Sequence, residues 1–62
     1  MRVNICMHGE TSRKEGETIE DIIETCGFTI ESVILLKGNE VILEEDVADN
    51  DTIEVVPVAS GG

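Results

Sequence analysis

Aromatic side chains are nearly absent from this chain. It has no Trp, no Tyr and only Phe28, so its core has to be aliphatic, built from the Val, Ile and Leu that recur at periodic positions. Basic residues are scarce as well: four Lys and Arg stand against fourteen Asp and Glu, a formal net charge of -10. Nucleic acids and anionic membrane surfaces are polyanions that would repel this charge, which argues against both as partners and makes a basic protein surface the natural complement. The alternative is that the acidity merely keeps a small protein soluble, and charge alone does not choose between the two. No secretory apolar region and no membrane-length apolar run is written in the sequence, so the expected address is the cytosol. Cys6 and Cys26 form no paired metal motif. Cys6 is out of phase with Met1, Val3, Ile5 and Met7, while Cys26 falls in an apolar helical series. A sheet would separate the two sulfurs, and both are expected as free thiols, Cys26 as a small core residue. At 62 residues the chain is one domain near the lower size for folding without staples, with little room for a catalytic cleft.

What is present is a sequence of alternating patterns. Met1 to Met7 alternates apolar and polar, the period of a half-buried strand, and His8-Gly9 ends it. Glu10 to Glu17 is polar and reads either as an irregular loop or as a short strand returning beside the first. Thr18 with Asp21 resembles a capping box, and Ile19, Ile22, Ile23 and Cys26 repeat on one helical face. Gly27 is placed to close the helix, after which Phe28 can fold back onto Ile23. Val33 to Leu36 and Val41 to Leu43 flank Lys37-Gly38-Asn39-Glu40 as a hairpin. Asp49-Asn50-Asp51 is a turn leading into a last strand over Thr52 to Val58, with Pro57 marking an edge or a strand end. The order predicts an α+β fold with one helix on one face of a mixed sheet. The globular unit is expected over residues 1–58, with 59–62 as a flexible tail.

That tail is the most chemically pointed part of the sequence. Ala59 and Ser60 lead into Gly61 and Gly62, two residues without a Cβ that thread a narrow pocket easily. A carboxylate on Gly62 is ionised at neutral pH and is a poor acyl electrophile until it is converted into an activated ester, as an adenylating partner would do. Fixing Ala59, Ser60, Gly61 and Gly62 would cost about 4 to 8 kcal/mol of backbone entropy, so the folded body has to dock as well. Extended, the tail reaches about 13 Å. In the last strand, Ile53, Val55 and Pro57 share one phase and Val56 and Val58 the other. If the first set faces the helix, Val56 and Val58 are exposed beside the tail as a candidate partner-docking surface, or are simply good strand formers.

Together, the opening strand Arg2 to Met7, the helix start Glu17-Thr18-Ile19-Glu20-Asp21, the Leu36-Lys37-Gly38-Asn39-Glu40 hairpin, the Asp49-Asn50-Asp51-Thr52-Ile53 turn and Ser60-Gly61-Gly62 resemble the ubiquitin-like β-grasp sulfur carriers. These include the thiamin-pathway sulfur carrier, the small subunit of molybdopterin synthase and the archaeal small modifiers. One departure is Asn50, where these families often carry glycine between the two aspartates; Asn also tolerates positive φ. The resemblance implies a β-grasp sheet of roughly four to five strands with one helix on one face. It also implies that the chain is a protein substrate rather than an enzyme and holds no bound cofactor. A ubiquitin-activating-type adenylyltransferase would use ATP and magnesium to adenylate Gly62. A persulfide sulfur donor would then convert it to a thiocarboxylate, whose sulfur passes to a downstream sulfur-accepting enzyme in thiamin or molybdopterin biosynthesis or tRNA thiolation. A monomer that exchanges partners fits this shuttle. Two other functions stay open: a protein modifier joined to lysines through Gly62, and a β-grasp binding module with an inert tail.

Other constellations carry less. Cys6, His8 and Glu10 share a strand phase and are all zinc-ligand types, but no fourth ligand is visible and His8 reads as a turn residue. Arg13-Lys14 reads as a solvated pair. Asp49 to Asp51 lacks a calcium-loop pattern and reads as a strand connector.

Overall fold

The computed structural model describes residues 1–58; the tail residues Ala59, Ser60, Gly61 and Gly62 lie outside them. Five strands form one sheet: β1 (Arg2–Met7), β2 (Glu10–Glu15), β3 (Val33–Lys37), β4 (Glu40–Ile42) and β5 (Thr52–Pro57), in the order β2-β1-β5-β3-β4. The first and last strands run parallel side by side at the centre, and the other pairings are antiparallel. One helix, α1 (Ile19–Thr25), covers one face. This is the β-grasp arrangement.

The helix is placed by its apolar stripe and sealed by its caps. Ile19, Ile22 and Ile23 are buried with Val3, Ile5, Leu35, Val47, Ile53 and Val55, so the core is wholly aliphatic. Phe28 packs against its edge. At the N-terminus the Thr18 hydroxyl accepts the Asp21 N–H at 3.2 Å, which satisfies one of the donors a helix start leaves open. At the C-terminus Gly27 takes φ of +94°, Phe28 N–H donates to the Ile23 carbonyl and Gly27 N–H to that of Glu24, the paired bonds of a Schellman motif. Cys26 sits at the C-cap position, half-buried and outside the core cluster, so the apolar series ends one turn earlier than its spacing predicts. Both cysteines are free thiols, as expected.

The polar stretch after His8-Gly9 is a strand, not a loop. β2 contains no aliphatic residue and is exposed along almost its whole length, yet it pairs with β1 residue for residue from Arg2–Glu15 to Met7–Glu10. The two-residue connection His8-Gly9 has positive φ at both positions, 54° and 79°, the turn geometry whose twist matches paired strands. Gly38-Asn39 does the same between β3 and β4, at 58° and 71°. The predicted second arm of that hairpin is shorter than expected. β4 stops at Ile42, and Leu43 is 62% exposed at the entry to a 3-10 turn over Glu44–Asp46.

Candidate functional site

β5 runs through the middle of the sheet to the end of the described residues. Its alternation follows the sequence reading: Ile53 and Val55 are buried under α1, while Val56 and Val58 point to the opposite face. Val58 is 48% exposed, and its N–H donates to the Ser32 carbonyl at 2.8 Å, carrying the β3–β5 ladder one residue past the strand's end at Pro57. Val56 is only half-buried because it lies opposite Ile34 of β3, itself 40% exposed. Val56, Val58 and Ile34 therefore make one apolar patch beside the point where the described chain ends. Sequence reading missed Ile34. The available signal was the unbroken apolar run Val33 to Leu36, which in a strand has to place apolar side chains on both faces.

The start of β5 is held by polar contacts. Asp51 Oδ2 accepts the Ala48 N–H at 2.8 Å and Lys37 Nζ at 3.0 Å. The backbone bond foremost, and then the lysine, hold the Asp51 carboxyl below its usual range. Asn50, at φ of 69°, donates its N–H to the Arg2 carbonyl, and its Oδ1 accepts Arg13 Nη2 at 2.8 Å. Asn50 thus holds the left-handed backbone that an asparagine tolerates and also binds an arginine on β2. Arg13 is solvent-exposed, as its reading as a solvated pair with Lys14 expects, but it lies on β2 and ties that strand to the turn before β5.

Charge is segregated across the sheet. Arg2, Arg13 and Lys14 all lie on β1 and β2, whereas β3, β4 and the two 3-10 turns carry Glu31, Glu40, Glu44, Glu45 and Asp46, with Lys37 the lone cation there. Arg2 pairs with Glu15 across the strands at 3.4 Å, both side chains well exposed. Among the described residues no set of three His, Cys, Asp or Glu side chains converges as metal ligands. His8 instead occupies the positive-φ turn between β1 and β2. Among the same residues, no helix is long and apolar enough to cross a membrane.

The predicted tail positions Gly62, Gly61, Ser60 and Ala59 lie outside the described residues. The ThiS family matches residues 5–62. The chain is 33% identical over 54 residues to the sulfur carrier protein TtuB of Thermus thermophilus, covering 86% of this chain and 83% of that protein. It is 29% identical over 63 residues to the sulfur carrier protein ThiS of the same organism, covering 94% and 98%. An uncharacterized protein of Archaeoglobus fulgidus is 36% identical over 47 residues, covering 76% and 70%. A match over nearly the whole length, joined to the β-grasp topology, assigns the chain: it belongs to the ThiS family.

Proposed function

We propose that this chain is a sulfur carrier whose working group is the Gly62 carboxylate, with the folded domain as the handle that presents it. The observation that carries this reading is the reach of the family match, which extends from residue 5 through Ser60-Gly61-Gly62 to residue 62. Relatives named as sulfur carrier proteins, similar over most of their length, support it.

In this reading a ubiquitin-activating-type adenylyltransferase, using ATP and magnesium, joins AMP to the Gly62 carboxylate and releases pyrophosphate. The acyl carbon then bears a good leaving group. The terminal sulfur of a persulfide on a donor protein attacks that carbon and AMP departs, leaving an acyl disulfide. A second thiol takes the donor's sulfur into a disulfide and frees the Gly62 thiocarboxylate, which a downstream sulfur-accepting enzyme consumes. The catalytic groups belong to the partners, and this chain acts as their protein substrate.

The domain's part is docking. Ordering four tail residues costs about 4 to 8 kcal/mol, and burying the exposed portions of Val58 and Ile34 returns about 1 to 3 kcal/mol of it at the usual worth of a buried aliphatic side chain. Val56 and Val58 are thus assigned to the adenylyltransferase contact nearest the tail. ATP–pyrophosphate exchange with the adenylyltransferase tests the assignment. The native chain supports exchange, and chains lacking Gly62 or extended beyond it do not. Exchange that is indifferent to Gly62 marks the chain as a binding module with an inert tail.

A further inference from the structure

β4 leaves the sheet early. It pairs with β3 only over Leu35–Ile42, Leu36–Val41 and Lys37–Glu40, whereas β3 begins two residues before Leu35, at Val33. From Leu43 the chain swings into the 3-10 turn, held by the Leu43 N–H donating to Asp46 Oδ2 at 3.1 Å and the Asp46 N–H donating to the Leu43 carbonyl at 2.9 Å. The divergence opens a groove of about 440 Å³ whose wall includes Val33, Ile34, Val41, Leu43, Glu44 and Glu45. Val41 and Leu43, at 71% and 62%, are the most exposed large aliphatic residues of the described chain. In so small and acidic a domain, such a concentration of exposed aliphatic surface marks an interaction site.

The groove also has an open strand edge. The Val58–Ser32 bond continues the β3–β5 ladder, so Ser32, Ile34 and Leu36 direct their backbone groups to β5, while Val33 and Leu35 direct theirs the other way. Leu35 meets Ile42 of β4 there. Val33 faces the side that β4 has left, and an added strand would find a donor and an acceptor at that position. The surroundings are acidic. Glu44 and Glu45 are in the wall, Glu31 is in the turn before Val33, and Glu40 is on β4. Lys37, the cation on these strands, is paired with Asp51. Arg2, Arg13 and Lys14 lie on the far side of the sheet.

We propose that this groove docks an extended segment of a partner protein, with one or two aliphatic side chains flanked by lysine or arginine, which adds to the sheet at the Val33 edge beyond the end of β4. A second copy of this chain supplies no such segment from either sheet edge: β2 offers Arg13 and Lys14 without an aliphatic anchor, and β4 offers Val41 and Ile42 beside Glu40 rather than beside cations. The groove shares Ile34 with the patch at Val56 and Val58 and otherwise uses different residues, and this docking role does not depend on the carrier reading.

The test is an NMR titration of the full, isotope-labelled chain with the capped peptide Lys-Arg-Val-Leu-Val-Arg and with its counterpart in which glutamate replaces each basic residue. The basic peptide should shift the amides of Val33, Ile34, Leu43, Glu44 and Glu45 saturably, and the acidic one should not. Leu43→Asp should weaken binding about tenfold or more. Leu43 is an exposed position, so the fold survives that change. The double reversal Glu44→Lys with Glu45→Lys checks the charge requirement independently and should have a similar effect, while Val58→Asp should leave the affinity unchanged. The proposal is overturned by absent or unsaturable shifts, by shifts centred on Val56 and Val58, by equal binding of the acidic peptide, or by shifts at the groove on concentrating the chain alone, which would make the occupant a second copy. The readout is peptide binding and not acyl transfer, so its failure leaves the carrier reading standing.

Discussion

Replacing Gly16 by alanine isolates the contact that seats the helix on the sheet. Gly16 joins β2 to α1, its N–H donates to the Met1 carbonyl at 3.0 Å, and a Cβ built on it would stand 2.9 Å from Cγ1 of Ile22. Ile22 is fully buried, so it has no free direction in which to yield. Overpacking of this kind costs about 1 to 3 kcal/mol. The backbone at Gly16 is not in the left-handed region, and alanine there returns about 0.4 to 1 kcal/mol by restricting the unfolded chain. The overlap wins, and Gly16→Ala should destabilise by about 1 kcal/mol, lowering Tm by about 4 to 8 °C. In an Ile22→Ala background the clashing atom is gone and the next neighbour, Asp21 Cβ at 3.6 Å, is at ordinary contact distance. Gly16→Ala should then be neutral or stabilising. Ile22→Ala itself removes about 2 to 5 kcal/mol from a domain of this size that has only about 3 to 9 kcal/mol to lose. All four proteins are therefore compared in one fixed concentration of sulfate, which strengthens burial. Far-UV circular dichroism during urea unfolding is the assay, since a chain without Trp or Tyr offers little intrinsic fluorescence. A stabilised Gly16→Ala, or an equal effect in both backgrounds, would rule out the overlap with Ile22 as the cause.

Asn39→Ala should cost about 1 to 2 kcal/mol because the β3–β4 turn holds that residue at φ of 71°, whereas Asn39→Gly should be close to neutral; thermal unfolding of the pair separates backbone strain from side-chain loss. For Asp51, whose folded-state pKa is lowered, the stabilisation is complete above the ordinary value of 3.8 and is lost as pH falls through the lower folded value. Asp51→Asn should therefore be less stable than the native chain at neutral pH and should flatten the fall of Tm with pH below that range, which a series of thermal melts will read. Val58→Asp should leave Tm within a few degrees, because the side chain is 48% exposed, yet weaken the complex with the adenylyltransferase about tenfold or more by calorimetry.

The elements with a clear apolar period were legible in the sequence. β1, α1 and β5 were readable because each buries one face, and burial writes its repeat into the residue order. The split of β5 into Ile53 and Val55 beneath the helix and Val56 and Val58 outside it came from that same repeat. β2 was not readable in this way. It is an edge strand with nothing to bury, and its pairing is dictated by β1 and by the His8-Gly9 turn rather than by its own side chains. The end of β4 escaped for a different reason: Val41-Ile42-Leu43 is uniformly apolar, and the turn begun by Leu43 is set by its N–H donating to the Asp46 carboxylate, which no apolar pattern records. Ile34 was hidden because a continuous apolar run does not say which residues point outward until the register with β5 is known. The polar tethers Arg13–Asn50 and Lys37–Asp51 join residues distant in sequence and depend on the assembled topology.

As a sulfur carrier, the chain is expected to hold sulfur on the carbonyl of Gly62. Intact-mass measurement of the protein isolated from its native cells tests it most directly. A species heavier by the difference between sulfur and oxygen is expected, with the change localised by fragmentation to Gly62. A Gly62 carboxylate that stays wholly oxygenated while the adenylyltransferase is active, or that is found only in isopeptide linkage to lysines of other proteins, would contradict it.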